Sequence, residues 1–287
     1  VITPFVLGLL AVALAGPVPA LMARWRGLHH TPFVAMLLWQ SVALAGVLAA
    51  VGAGLSLFTH TTGTSDLTWR TGPITVLTVL ITVTVVGRLL LSGHLVGTSL
   101  RVVRRQQRQE LDLLAEWRGR VRVVEHDVPV AYCVPSVTEP RVVVSDATLT
   151  RLDEGQLNAV FAHERAHLTA RHDLVLEAFT VLHRAFPRWV SSDAALREVR
   201  LLAEILADRA ALRVAPAKDL GGALLAMATG RTPEGAMGAS TVDLVERVRL
   251  LGELRPRPAQ TVLIALLGWA VLVLPTGLVV APWLTAL

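Results

Sequence analysis

Four apolar stretches limit what this chain can become. Val1 to Ala23, Phe33 to Phe58, Pro73 to about Val96, and Thr261 to Leu287 are each long enough to cross a hydrocarbon core, which takes roughly 20 helical residues. The composition agrees: 53% of residues are hydrophobic, 17% are charged and the mean hydropathy is +0.56, too apolar for an ordinary soluble domain of 287 residues. The expectation is a mainly α membrane protein with three spans in residues 1–98 (about 1–23, 33–58 and 73–96), a polar domain in residues 99–258 and a fourth span in residues 259–287. The first stretch lacks a basic leading segment and exceeds the usual apolar core of a secretory signal, so it reads as an anchor.

The charges orient these spans. Arg24, Trp25 and Arg26 form a basic and aromatic border of the cytoplasmic kind, and the loop from Thr59 to Thr71 carries only Asp66 and Arg70. Arg101, Arg104, Arg105 and Arg108 follow the third span, and Arg255 and Arg257 precede the fourth. Multi-pass placement in a cell membrane with the polar domain in the cytoplasm follows from that bias. Net charge is +5 and Lys218 is the only lysine. Because the cations sit beside the spans, anionic lipid is the expected partner; the Arg cluster lacks the aromatic and base-reading residues that nucleic-acid binding would need. Arg88 and His94 fall in the inner half of the third span, and Arg88 reads as snorkelling toward headgroups. Cys133 is the only cysteine, so no intrachain disulfide forms; it reads as a small strand residue in the core. Abundant Ala, Val, Leu and Arg point to a GC-rich bacterial genome.

In the polar domain, Leu100 to Trp117 has helical periodicity. VRVVEHDVPVAY and PRVVVSDATL read as two or three short strands whose edge could take an extended peptide as another strand. Asp153, with Gln156 three residues on and Leu152 and Leu157 as a hydrophobic staple, marks a helix start. Helical periodicity continues from Arg171 to Phe186 and restarts at Ser191, Ser192 and Asp193. Shorter helices are expected from about Asp219 to Thr229 and from Thr241 to Leu254, with the loop GRTPEGAMGAS between them.

The helix that Asp153 opens carries His163, Glu164 and His167 in the order H-E-x-x-H. Residues four apart share a helix face, so both imidazoles can reach one metal ion, and the adjacent carboxylate can take a proton from a water and pass it to a leaving amine. Sites of this kind bind zinc through two His and a carboxylate and keep a fourth position open. Glu204 and Asp208, four apart on another expected helix, can supply the third ligand and its support. Tyr132, His172, His183 and Arg209 are the available oxyanion donors, and the sequence selects none of them.

Three apolar spans, then FAHERAHLTARHDLV, EILAD and VERVRLLGEL, then one more span, resemble the BlaR and MecR type of integral membrane zinc metallopeptidase. The resemblance covers nearly the whole chain. It implies an α+β zincin-like (gluzincin) metalloprotease domain embedded among the transmembrane helices. His163, His167 and Glu204 would hold one Zn2+, Glu164 would be the catalytic base, and Asp208 and Asp173 would support the ligands. It also implies a protein substrate, a cytoplasmic transcriptional repressor, cleaved in regulatory signalling. HtpX and Ste-type membrane zinc proteases share HExxH and the later E-x-x-x-D, but place two spans before the motif and two after. A quality-control protease of that type and a non-catalytic, zinc-stabilised receptor are the alternatives. Beta-lactam sensors of the BlaR type carry a penicillin-binding domain beyond the last span; the sequence reads to Leu287 with no such domain, so the signal is expected through the short outer loop, the spans themselves or a separate sensor protein.

Overall fold

The computed structural model describes residues 2–63, 71–118, 121–136, 139–186, 193–228, 237–253 and 257–284. In chain order they form α1 (Ile2–Ala15), α2 (Pro17–Met22), a 3-10 turn (Arg26–His30), α3 (Pro32–Gly63), α4 (Thr71–Leu114), β1 (Glu116–Arg118), β2 (Val121–Val124), β3 (Ala131–Val134) and β4 (Arg141–Ser145). Then follow α5 (Asp146–Arg151), α6 (Glu154–Ala170), α7 (His172–Ala185), α8 (Asp193–Ala211), α9 (Ala217–Ala228), α10 (Met237–Leu251) and α11 (Pro258–Leu284). Most of the expected outer loop with Asp66 and Arg70, the restart at Ser191 and Ser192, most of GRTPEGAMGAS, and Arg255 lie outside the described residues.

The helices sort into two units. The first comprises residues 1–96, 178–199 and 257–287, the second residues 97–177 and 200–256. Four helical segments, Ile2–Met22, Pro32–Thr59, Gly72–Leu114 and Pro258–Val280, are long and apolar enough to cross a membrane, which makes this a membrane protein by composition and length. The first is interrupted at Gly16, where Pro17 opens α2 with the ring at a position whose amide needs no helical partner. In the first unit α3 packs against both α1 and α11, with Leu38, Trp39, Ala45 and Ala49 fully buried. Ser92 Oγ and Arg88 Nε, one turn apart on α4, donate to the carbonyls of Val181 (2.8 Å) and Ala185 (2.6 Å), one turn apart on α7.

The third span and the polar extension expected after it are one continuous helix. α4 has 44 residues, about 66 Å at 1.5 Å per residue, roughly twice the hydrocarbon thickness. It stops at Leu114, earlier than the expected Trp117, because Glu116–Arg118 pairs with β2 instead. Trp117 stacks there on the Arg122 guanidinium, 3.8 Å from the ring centroid.

The second unit is built on a four-stranded sheet in the order β1-β2-β4-β3, with β2 and β4 parallel and the other pairs antiparallel. β1 is a strand that Val content did not announce. The segment PRVVVSDATL is a strand only to Ser145, whose Oγ accepts the Thr148 amide at 3.1 Å and caps α5. One face of the sheet, through Val123, Ala131 and Val144, packs on Leu152 and Val160 beside α6 and on Ala223 of α9. The other face, through Val134 and Val143, packs on Leu111 of α4. Side chains alternate between faces along a strand, so Tyr132 points with Val134 away from α6, while Cys133 points with Ala131 toward it.

α6 begins as its sequence dictates. Asp153 accepts the Gln156 amide at 2.8 Å, Gln156 Oε1 accepts the Asp153 amide at 3.2 Å, and Leu152 and Leu157 share one core cluster. It ends at Arg171, whose φ of 51° is left-handed, an uncommon conformation for a residue with a Cβ. The turn lets the chain start α7 at once, and Arg171 Nε reaches forward to Asp173 Oδ1 at 3.2 Å.

Candidate metal centre

The site lies within the second unit, where α6, α8 and α10 meet. His163 and His167 project from one face of α6, with their Nε2 atoms 3.1 Å apart. Glu204 on α8 brings Oε2 to 3.5 Å from His163 Nε2 and Oε1 to 3.5 Å from His167 Nε2. One ligand atom from each of the three residues can be chosen so that all lie within 4.8 Å of one another, and the three together could hold a metal ion.

The remaining nitrogens face polar groups behind the rings. Asp208, one turn beyond Glu204, places Oδ1 2.9 Å from His163 Nδ1, and His172, the first residue of α7, places Nδ1 3.0 Å from His167 Nδ1. Each partner leaves an Nε2 facing the common point. Outer contacts of this sort fix the tautomer and ring orientation of ligating histidines. Glu164, about 100° around α6 from His163, accepts a hydrogen bond from the Cys133 thiol on β3.

Arg247 of α10 completes the cluster. Its Nε and Nη2 hold the two Asp208 oxygens at 2.7 Å each, and its Nη1 lies 2.8 Å from Glu204 Oε2. Asp208 is 3% exposed, so its charge would be costly there without that fork. The sequence had offered one signal for this: Arg247 stands three and four residues before Leu250 and Leu251, both buried, which places a cation on the inward face of an amphipathic helix.

The electrostatics follow from these contacts. Burial opposes charge on His163, but hydrogen bonds to Asp208 and Glu204 outweigh it and raise the pKa to about 9. Burial lowers the His167 pKa to about 4, with the neighbouring cationic groups working in the same direction against Glu204. Burial would raise Glu204, but the hydrogen bond from His163 and the charge of Arg247 bring it down to about 2. Asp208 is likewise held below its ordinary value, with Arg247 and His163 overcoming its burial. Cys133 is pushed up to about 12 by burial and by Glu164, so its thiol stays protonated and donates.

The donor set fits a divalent cation of the zinc type: two imidazole nitrogens and a carboxylate converge, with no further protein ligand required. Two unprotonated Nε2 atoms 3.1 Å apart repel each other. Either a proton, as the high His163 pKa supplies, or a metal ion relieves that repulsion.

The other expected site residues are placed differently. Asp173 is engaged instead by Arg171 and, at 3.5 Å, by Arg104 Nη2. Tyr132 faces the opposite side of the sheet from α6. His183 belongs to the first unit, 3.2 Å from Asp193. Arg209 borders a small cavity with Asp208 and Arg247. His172, offered by the sequence only as one oxyanion donor among four, touches His167 instead.

No curated protein and no solved structure matches the chain. A model of peptidase family M48 does match, over residues 100–252, more than half of the chain and the whole of the segment that carries His163, Glu164, His167, Glu204, Asp208 and Arg247. A metallopeptidase family thus spans the convergent His163, His167 and Glu204, and the chain belongs to peptidase family M48.

Proposed function

We propose that this chain is a membrane-embedded zinc endopeptidase whose catalytic unit faces the cytoplasm and cleaves a cytoplasmic protein, a transcriptional repressor, in regulatory signalling. The observation that carries the peptidase reading is the convergence of His163, His167 and Glu204 with Glu164 beside them. The repressor as substrate is supported by the span arrangement of the BlaR and MecR type, three before the motif and one after. The cytoplasmic placement is supported by Arg101, Arg104, Arg105 and Arg108 at the membrane end of the catalytic segment.

In this reading His163, His167 and Glu204 hold Zn2+, which when bound supplies Lewis acidity toward a water and the scissile carbonyl. Asp208 and His172 keep the two imidazoles in the ligating tautomer. Glu164 accepts the proton of the attacking water and returns it to the departing nitrogen. Arg247 keeps Glu204 and Asp208 ionised, so both remain available as a ligand and as a histidine partner.

Substrate backbone is held by β3, which among the described residues is an edge strand of the sheet and packs against α6. The Ser145 amide bonds the Val130 carbonyl at 2.9 Å, so Val130 and Tyr132 direct their backbone groups toward β4. By antiparallel alternation Ala131 and Cys133 direct theirs outward, beside Glu164. An extended peptide pairing there is read through its main chain.

A quality-control protease of the HtpX and Ste type is the second reading, favoured by the E-x-x-x-D spacing of Glu204 and Asp208. The two are separated by terminal-peptide proteomics of cells expressing wild type or Glu164→Gln. One cleavage site in one DNA-binding protein supports the first reading, many sites in unrelated membrane proteins the second, and identical peptide profiles refute both. Zinc content and casein cleavage by the detergent-purified protein test the peptidase itself: one zinc in each form, with cleavage by wild type alone, is the expected result.

A further inference from the structure

The first unit contains a cavity of about 620 Å³ whose walls are almost wholly apolar. Its lining comes from α1 (Val12, Leu14), α3 (Val42, Gly46), α4 (Ile81, Val85) and Phe179 of α7. Near this lining in sequence, Thr82 presses against Gly54, where a Cβ would overlap the threonine side chain, so α3 and α4 are in close contact there. From Trp39 to Ala50 the lining runs along α3 for about 16 Å. That is roughly half of a 30 Å hydrocarbon core, the depth of one leaflet.

Two basic side chains, Arg88 and His183, border this space, and His183 lies 3.2 Å from the Asp193 carboxylate. Arg88 lines the cavity, and its Nε is fixed on the Ala185 carbonyl at 2.6 Å. Among the described residues no carboxylate pairs with it. A guanidinium thus lines an apolar groove beside a membrane-spanning helix, an arrangement that calls for an anion.

We propose that this groove is a phospholipid site: one acyl chain of an anionic phospholipid lies between α3 and α4, and its phosphate pairs with Arg88. The proposal rests on the four apolar helices crossing a bilayer and is independent of the peptidase chemistry. The length of the groove favours an acyl chain over a transmembrane helix of a partner, which would need walls along the full core. The unpaired arginine favours an anionic headgroup over a zwitterionic one.

Native mass spectrometry of the full chain in detergent tests this, with dioleoylphosphatidylglycerol and dioleoylphosphatidylcholine as equal-chain probes. Wild type is expected to retain one phosphatidylglycerol about fivefold more readily than phosphatidylcholine, the ratio that one arginine gives near a headgroup. Arg88→Gln should bring the ratio to about one. Thr84→Trp, at an exposed position in the groove lining, should reduce retention of both lipids without disturbing any buried contact. It keeps the test valid should Arg88→Gln fail to fold. Equal retention of the two lipids by wild type, an undiminished preference in Arg88→Gln, or full retention in Thr84→Trp would each overturn the proposal. So would competition by glycerol phosphate as effective as by the lipid, or a Thr84-sensitive dimer with no lipid bound.

Discussion

Replacing Asp208 by Asn tests the ligand support most directly, because it removes charge while nearly conserving shape. Asp208 makes contacts of 2.9 Å to His163 Nδ1 and 2.7 Å to each of two Arg247 nitrogens, and is 3% exposed. An Asn oxygen can still serve one of these donors, but its NH2 must face another donor. Removing one partner of a buried ion pair costs about 3–5 kcal/mol. Arg247 keeps Glu204 at 2.8 Å, so the lower end of that range, about 3 kcal/mol of stability, is expected. The metal should suffer separately, since loss of the group behind a ligating histidine costs about 10–100-fold in affinity. Proton competition shapes the pH dependence of that loss. In the metal-free wild type, His163 holds its proton up to about pH 9. At pH 7 that proton weakens apparent binding by about two decades. Asp208→Asn weakens the hold on the proton as well as on the metal, so the deficit should be widest at pH 9 and narrower at pH 7. Competition with a chromophoric zinc chelator at both values measures this, with far-UV circular dichroism confirming the fold. A folded variant that binds zinc at pH 9 as tightly as wild type would falsify the assignment of Asp208 as the group that positions His163.

Three further outcomes are expected. Glu164→Gln should retain its zinc while peptide turnover falls by at least about 10²-fold, the low end for loss of a general base, as read by metal analysis and a fluorogenic peptide. The metal-free chain should lose stability between about pH 6.5 and 9. The His163 pKa is raised on folding, from 6.5 to about 9, so its contribution, about 3 kcal/mol, is fully present below pH 6.5 and is lost as the pH rises through 9. Chelator-treated wild type and His163→Gln should therefore converge in melting temperature above pH 9, and a gap that is constant across this range would contradict the assignment. Finally, Cys133→Pro removes an outward-facing amide of β3 without breaking a bond to β4. It should lower kcat/KM by about tenfold or more relative to Cys133→Ala, which removes only the thiol; equal kinetics for the two variants would exclude backbone pairing at that edge.

What the sequence determined by itself is local or compositional. The spans were legible because crossing hydrocarbon requires about 20 consecutive apolar residues. The start of α6 was legible because Asp153 and Gln156 satisfy each other's amides within one turn. His163, Glu164 and His167 are read from helical geometry alone, since four residues return to the same face. The strand β1, which has no apolar run, and the unbroken course of α4 through and beyond its span depended on pairing with more distant residues. Glu204 and Asp208 were visible as residue types, but only tertiary structure decided that both carboxylates meet the histidines of α6. Arg247 and His172 escaped assignment for the same reason. A buried cation or imidazole gains its role from the charges that surround it, and here those charges arrive from α8 and α6 across 39 and 5 residues of chain. The edge position of β3 and the groove beside Arg88 are likewise decided by how the elements pack among the described residues, and a linear sequence records only what each residue can contact.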